Sequence, residues 1–492
     1  CVIIIPMKKQ KVTDIFLYRW RYVFGYTLLA LLYIGAIIIS ALHVPGGLSQ
    51  AEIDMVNTTN HLNFSIEGIA VTNLPFHLLQ LLFFKLFGVS LLTIKAPAVI
   101  LSIASSVAIF FLLKRWFKPS TTILSLLIMA TTGQFLFIGQ SATVGILYIF
   151  YTALTLLFAT LILQKAQNAS IWRISLAITT ALSLFTPYFW YINLGLLIIA
   201  FLHPHPRYFL VSRKHRKSWI VPSAILFAIG CAIGFLCYKS HALFYNLIGI
   251  NGLSFDIVAN LRTLYYTYIR IFPSVVGNQI TPIMDINAMV LIGLGLLRSF
   301  QKISSARSFM IWSWLILALA LLIFQPSLTP IIIIPLFILL AVGLESLMNM
   351  WYGLFPRNPY ARGTGLVLIS MLIIVMVVGG SFRYIDGYRY FPEAVSRFNK
   401  DLSLLRKNTA PTDSFSLLVS KEESPIYEAL KKHNYHQISI IYTAPANVGQ
   451  TLYVSHSVKS QIPQTYSGHL SSVIVNDHKD GDRFYIYTSD RK

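Results

Sequence analysis

Two carboxylates, Glu52 and Asp54, follow a Pro-Gly-Gly turn in the stretch HVPGGLSQAEIDMVNTT at residues 43–59. A carboxylate at a lipid–water boundary can take a proton from an attacking hydroxyl, and cations beside it can neutralise a departing phosphate. Acids are scarce enough for this pair to stand out. Before residue 383 the others are Asp14, Glu67, Asp256, Asp285 and Glu345. Cations that could serve the pair are Lys85, Lys95, Arg262 and Arg270, and His77 could add a hydrogen bond. If the segment after the turn is helical, Glu52 and Asp54 project about 200° apart, so only one can face a site. The plainer alternatives are an acidic helix start for the pair, a snorkelling span end for Lys95 and headgroup anchors for Lys85 and the Tyr-interleaved arginines. Asp256 and Asp285 read as loop acids or local caps.

The elements that must hold these residues are apolar. Of 492 residues, 55% are hydrophobic and 12% charged, against about 25% charged in soluble domains. Runs of about 20 apolar residues recur along the chain, which predicts a polytopic α-helical membrane protein. About eleven spans are expected, near residues 22–42, 93–113, 121–139, 143–163, 172–186, 188–203, 219–238, 287–299, 308–325, 329–349 and 363–383. The formal charge of +21 would suit nucleic acid, but its placement does not. With the N-terminus inside, twenty Lys and Arg fall on inner segments and five on outer ones. That alternation is the pattern of cytoplasmic loops, so nucleic acid is not an expected partner. Runs such as SRKHRK (212–217) read as topology and anionic-lipid signals.

Residues 1–21 are then a basic cytoplasmic N-terminus, with VIIIPMKKQK pointing to a start at Met7 rather than Cys1. Residues 22–383 form the membrane domain, with outer loops at 43–92 and 239–286. Leu74–Gly88 reads as an interfacial or re-entrant helix. Residues 384–492 turn polar and predict a small extracytoplasmic α/β domain. Its strands are expected at 414–420, 437–443, 451–456 and 482–489, with a helix at 424–435. Scattered histidines and three cysteines support neither a metal site nor a disulfide framework. No carboxylate lies at mid-span depth, which weakens an ion-coupled transporter.

The first loop resembles the GT-C glycosyltransferases that use polyprenyl-phosphate sugars, among them protein O-mannosyltransferases and the lipid A aminoarabinose transferase. The residues that carry the resemblance are Pro45–Ser49, Pro75, Phe87-Gly88-Val89-Ser90 and Lys95-Ala96-Pro97-Ala98. It implies a membrane glycosyltransferase that passes sugar from a polyprenyl-phosphate donor to a glycan, lipid or protein acceptor at the outer face of a bacterial cytoplasmic membrane. A first-loop carboxylate would be the base. The same pattern fits a non-catalytic lipid-sugar-binding or scaffold relative, or a lipid-sugar transporter. No cofactor is expected, and dependence on a divalent cation is left open. Aligned on Gly47-Leu48-Ser49, the family's Asp-Glu pair falls on Ala51-Glu52, and a second family Asp falls at Val144-Gly145. Glu52 is therefore the favoured base, with Asp54 as its neighbour.

Overall fold

The computed structural model describes residues 16–164, 167–211, 217–270, 272–409, 413–434, 437–445, 451–463, 466, 469–476 and 481–488. The helices that build and flank the site are α1 (Phe16–His43), α2 (Gln50–His61), α3 (Leu74–Phe87), α4 (Leu91–Trp116), α5 (Pro119–Thr131), α6 (Gly133–Gln140), α7 (Gly145–Leu163), α8 (Ala169–Ser183), α9 (Phe189–Leu202) and α10 (Pro204–Val211). They are followed by α11 (Ile220–Lys239), α12 (His241–Ile248), α13 (Ile257–Tyr268), α14 (Ile286–Gln301), α15 (Ala306–Phe324), α16 (Pro330–Leu354) and α17 (Pro359–Tyr390). Short α18 (Pro392–Val395), α19 (Asp401–Asn408) and α20 (Ser424–His433) belong to the tail.

All eleven expected spans are helical. Among the described residues seven helices are long and apolar enough to cross a membrane, and an eighth if α5 and α6 count as one broken span. The chain is thus a multi-pass helical membrane protein. The expected third span is not straight: α5 and α6 meet at 64° across Thr132. Thr131 and Thr132 turn their hydroxyls back onto carbonyls of α5, and Gly133 follows. Side-chain hydroxyls that satisfy freed backbone groups let a helix break inside an apolar body. Helices α9 and α14 are shorter apolar segments.

Burial follows composition. Helix α16 is apolar all round, and its Ile331–Leu340 stretch is almost wholly buried, as a central helix must be. Helices α1 and α17 expose Leu28, Leu31, Val367 and Met371, which suits a lipid-facing rim.

The tail carries a five-stranded sheet. Its strands are β5 (Phe415–Leu418), β6 (Ile438–Ile441), β7 (Leu452–Ser455), β8 (Leu470–Val475) and β9 (Asp482–Tyr487), in the order β6-β5-β7-β9-β8. The first three are parallel, and β9 pairs antiparallel with β7 and β8. Strand β8 and helix α19 were not foreseen from sequence. Two other small pairings lie outside this sheet: β1 (Leu48–Ser49) with β4 (Phe398–Asn399), and β2 (Ser274–Val276) with β3 (Gln279–Thr281). One side of the tail shares its buried cluster with the membrane body, through Phe398, Leu402, Phe415, Ile426 and Leu430. The other side has its own cluster around Leu418, Leu452 and Tyr485. At the start of β9, Arg483 donates to Asp401 at 2.6 Å and to Glu423 at 2.9 Å, and Tyr427 donates to Asp401 at 2.7 Å. Both carboxylates are thereby paired in a half-buried network.

Candidate active site

The Pro-Gly-Gly turn leads directly into an anchored helix start. Gly46 has φ +75°, a conformation open to glycine. Gly47 lies so close to the tail that a Cβ would stand 2.7 Å from the Asn399 carbonyl. The Tyr384 hydroxyl of α17 donates to the Val44 carbonyl at 2.9 Å. Strand β1 then pairs Ser49 with Phe398, and Ser49 caps α2. Its hydroxyl accepts from the Glu52 amide, while Glu52 Oε2 accepts from the Ser49 amide at 2.8 Å and the Ser49 hydroxyl at 3.0 Å. This reciprocal box satisfies two helix-end donors. The signal was in the sequence as Ser49-x-x-Glu52.

Glu52 is fully buried. Its second oxygen, Oε1, accepts the Ala142 amide at 2.8 Å from the α6–α7 turn. Lys95 of α4 is equally buried and donates to Gln140 Oε1 at 2.6 Å. The nitrogen of the Gln140 amide has no partner. Glu52 lies within electrostatic range of both Lys95 and Tyr384. The first loop, α4 and the α6–α7 turn thus converge on one buried carboxylate–ammonium centre. Asp54, by contrast, is exposed and accepts from Gln50 at 3.1 Å.

The remaining candidates separate. His77 is buried on α3, and Thr59 joins it at 2.7 Å to Nδ1 while donating to Gln80 Oε1 at 2.5 Å; Gln80 Nε2 donates to the Ile94 carbonyl at 3.1 Å. This chain ties α2, α3 and α4 together. Burial pushes the imidazole down to about 4. Lys85 is exposed over the Phe64 ring. Arg262 is exposed, and Arg270 lies beyond the end of α13 over Tyr266 at 5.0 Å. Among the described residues none of these three makes a hydrogen bond or ion pair with Glu52.

Sequence reasoning passed over a second group beside Tyr384. A small cavity is lined by Gln134, Asp285, Arg383, Tyr384 and Tyr388. Gln134 Nε2 and Arg383 Nη2 are buried without partners. Burial raises the carboxyl of Asp285, opposed by the charge of Arg383. Asp285 was legible only as a loop acid, and Arg383 only as the end of a span. Among the described residues no three His, Cys, Asp or Glu side chains gather as a metal site would.

Fold and site together define a membrane-embedded helical body with a buried carboxylate and a buried ammonium on the side covered by the tail. Residues 74–244 match the family described as dolichyl-phosphate-mannose-protein mannosyltransferase. The crystal structure of ArnT from Cupriavidus metallidurans bound to undecaprenyl phosphate has a similar fold, at 11% identity and TM-score 0.55, over 97% of this chain and 99% of that one. Its apo state matches at 11% identity and TM-score 0.53, over 95% and 98%. The Archaeoglobus fulgidus oligosaccharyltransferase AglB, in complex with an inhibitory peptide and a dolichol-phosphate, matches at 13% identity and TM-score 0.50, over 90% and 70%. Against the same organism's oligosaccharyltransferase tethered with an acceptor peptide (12% identity, TM-score 0.50), the match takes in 86% of this chain and 64% of that one. No curated protein sequence matches the chain. The chain thus shares the fold of these membrane proteins over nearly its whole length, and about a third of it matches the mannosyltransferase family.

Proposed function

We propose that this protein transfers a sugar from a polyprenyl-phosphate donor to an acceptor hydroxyl at the outer face of a bacterial cytoplasmic membrane. The tail is then extracytoplasmic and the basic loops cytoplasmic. The carrying observation is the meeting of Glu52 with the Ala142 amide and the Lys95–Gln140 pair. Glu52 holds one of the two positions where the resemblance sets the family's acidic pair, and Ala142 stands two residues before Val144-Gly145, where it sets the second Asp.

In the proposed reaction the acceptor oxygen attacks the anomeric carbon and the bond to the phosphate oxygen breaks. Glu52 takes the acceptor's proton, and the electron pair leaves with the lipid phosphate. A phosphate is a good leaving group, so placement and a base supply most of what is needed. Lys95, the free amide of Gln140 and Arg383 are the donors that would meet the phosphate. Among the described residues Glu52 Oε1 accepts the Ala142 amide alone, which leaves it a lone pair toward an acceptor hydroxyl. Asp54, exposed on the same helix, is the alternative base.

One observation favours a second reading, a relative that binds lipid-linked sugar without turning it over. Glu52 is buried with both oxygens occupied, as in a purely structural carboxylate.

The test is incubation of purified protein with labelled polyprenyl-phosphate sugars and cell-envelope acceptors, for wild type, Glu52→Gln and Asp54→Asn. Transfer lost in one variant names the base. Equal transfer by all three refutes a first-loop base, and donor binding without turnover supports the second reading. A chelator arm reads any dependence on a divalent cation.

A further inference from the structure

We infer that the side of the membrane body opposite the tail holds a dedicated site for an anionic phospholipid, with Arg173 on the headgroup phosphate and an acyl chain in the cavity along α9. Helix α7 starts three residues after Ala142 and runs away from the tail; α8 returns, and Phe185, two residues past its end, accepts the Asn73 amide at 2.7 Å. Arg173, in the second turn of α8, therefore lies at the far end of the body from Glu52.

Among the described residues its surroundings hold no paired carboxylate. Arg173 is 5% exposed. It donates to Ser218 at 2.5 Å and its guanidinium lies 5.5 Å from the centre of the Trp219 ring. Its Nε has no partner. Neither contact is an anion. The chain offers none from its own neighbourhood, because no Asp or Glu occurs between Glu67 and Asp256. At this end Glu345 is engaged with Arg307 at 3.7 Å. A buried guanidinium without a counter-charge is costly, and its planar fork fits a phosphate.

The apolar half of the ligand has a place beside it. A cavity of about 460 Å³ is lined by Ala177 and Thr180 of α8, by Leu194 and Leu197 of α9, and by Trp219. Ala177 stands one turn above Arg173 on the same face of α8, and Trp219 belongs both to the cavity and to the arginine's contact. Helix α9 has 14 residues, which gives the cavity wall a length of about 21 Å. Leu194 and Leu197 are half exposed, so a chain can enter sideways from the bilayer. Phosphate chemistry at one end and an apolar slot running from it describe a phospholipid of the leaflet opposite the tail, not a soluble anion.

The experiment uses the full chain in vesicles of mixed phosphatidylglycerol and phosphatidylcholine, followed by native mass spectrometry to count retained lipids. Wild type should keep one phosphatidylglycerol in preference to phosphatidylcholine. Arg173→Gln should lower that occupancy about tenfold, the worth of a charged hydrogen bond, and Arg173→Lys should restore part of it. Ala177→Trp, which fills the slot and leaves the arginine, should also lose the lipid, and it decides the matter should Arg173→Gln not fold. Equal retention by wild type and Ala177→Trp, or by wild type and Arg173→Gln, overturns the site. So does equal retention of the two lipids, or displacement by inorganic phosphate alone. The readout is independent of sugar transfer.

Discussion

Replacing Glu52 separates its chemical role from its structural one. The carboxylate accepts two amides, from Ser49 and Ala142, and one hydroxyl. A glutamine keeps the shape but has one acceptor oxygen. Either orientation sets an NH₂ against a backbone N–H, and the rotatable Ser49 hydroxyl can relieve only the orientation facing Ser49. One buried hydrogen bond is lost and one donor stranded, a cost of about 1–3 kcal/mol. Glu52→Ala strands both amides and removes the carboxylate that acts on buried Lys95, which should cost about 3–5 kcal/mol. The assay is thermal unfolding in lipid nanodiscs beside the transfer reaction. If Glu52 and Lys95 are coupled, the double variant Glu52→Gln/Lys95→Met should cost less than the sum of the singles by about 0.5–3 kcal/mol. A wild-type melting profile for Glu52→Ala would refute the burial argument. Transfer that declines only in step with stability would refute a base.

Other substitutions test the joints around that centre. Asn434 accepts the Val89 amide at 2.5 Å and donates to the Val89 carbonyl at 2.7 Å; Asn434→Ala should cost about 1–3 kcal/mol and quicken proteolysis of the tail. Gly88 has φ +70°, and a Cβ there would lie 2.7 Å from Asn434 Oδ1, so Gly88→Ala should loosen the same joint by at least about 1 kcal/mol. His77 is held neutral, its value pushed from 6.5 down to about 4. The unfolded chain therefore binds the extra proton first, and stability should fall as pH drops from about 6.5 to about 4. His77→Gln should flatten that slope in a pH series of melting curves. Arg483→Met strands the paired Asp401 and Glu423, and should lower tail stability by about 3–5 kcal/mol, read by hydrogen exchange in β7 and β9.

Hydropathy made the membrane body legible, because apolar runs report helices directly. All eleven runs became helices, yet the number that cross is a matter of length: α9 and α14 are short and α5–α6 is bent. Helical geometry alone separated Glu52 from Asp54 by angle. What it could not give was which of the two turns inward, since that depends on Ala142, 90 residues away. Lys95 read equally as a phosphate cation and as a snorkelling span end, and its burial against Gln140 could not be foreseen. Arg173 read as a topology charge, and Arg383 as a boundary, because the burial of a cation is set by its neighbours in space. The strand at 470–475 pairs only with another late strand and shows little alternation of its own.

The tail also has a bearing on engineering. Ser49 is held by Phe398, Gly47 by Asn399, Asn60 by Lys432 and Val89 by Asn434. A chimaera that exchanges the last hundred residues for those of a distant homologue would have to transplant the matching first loop as well. Grafted alone, the foreign half would leave the Pro-Gly-Gly corner without its lock.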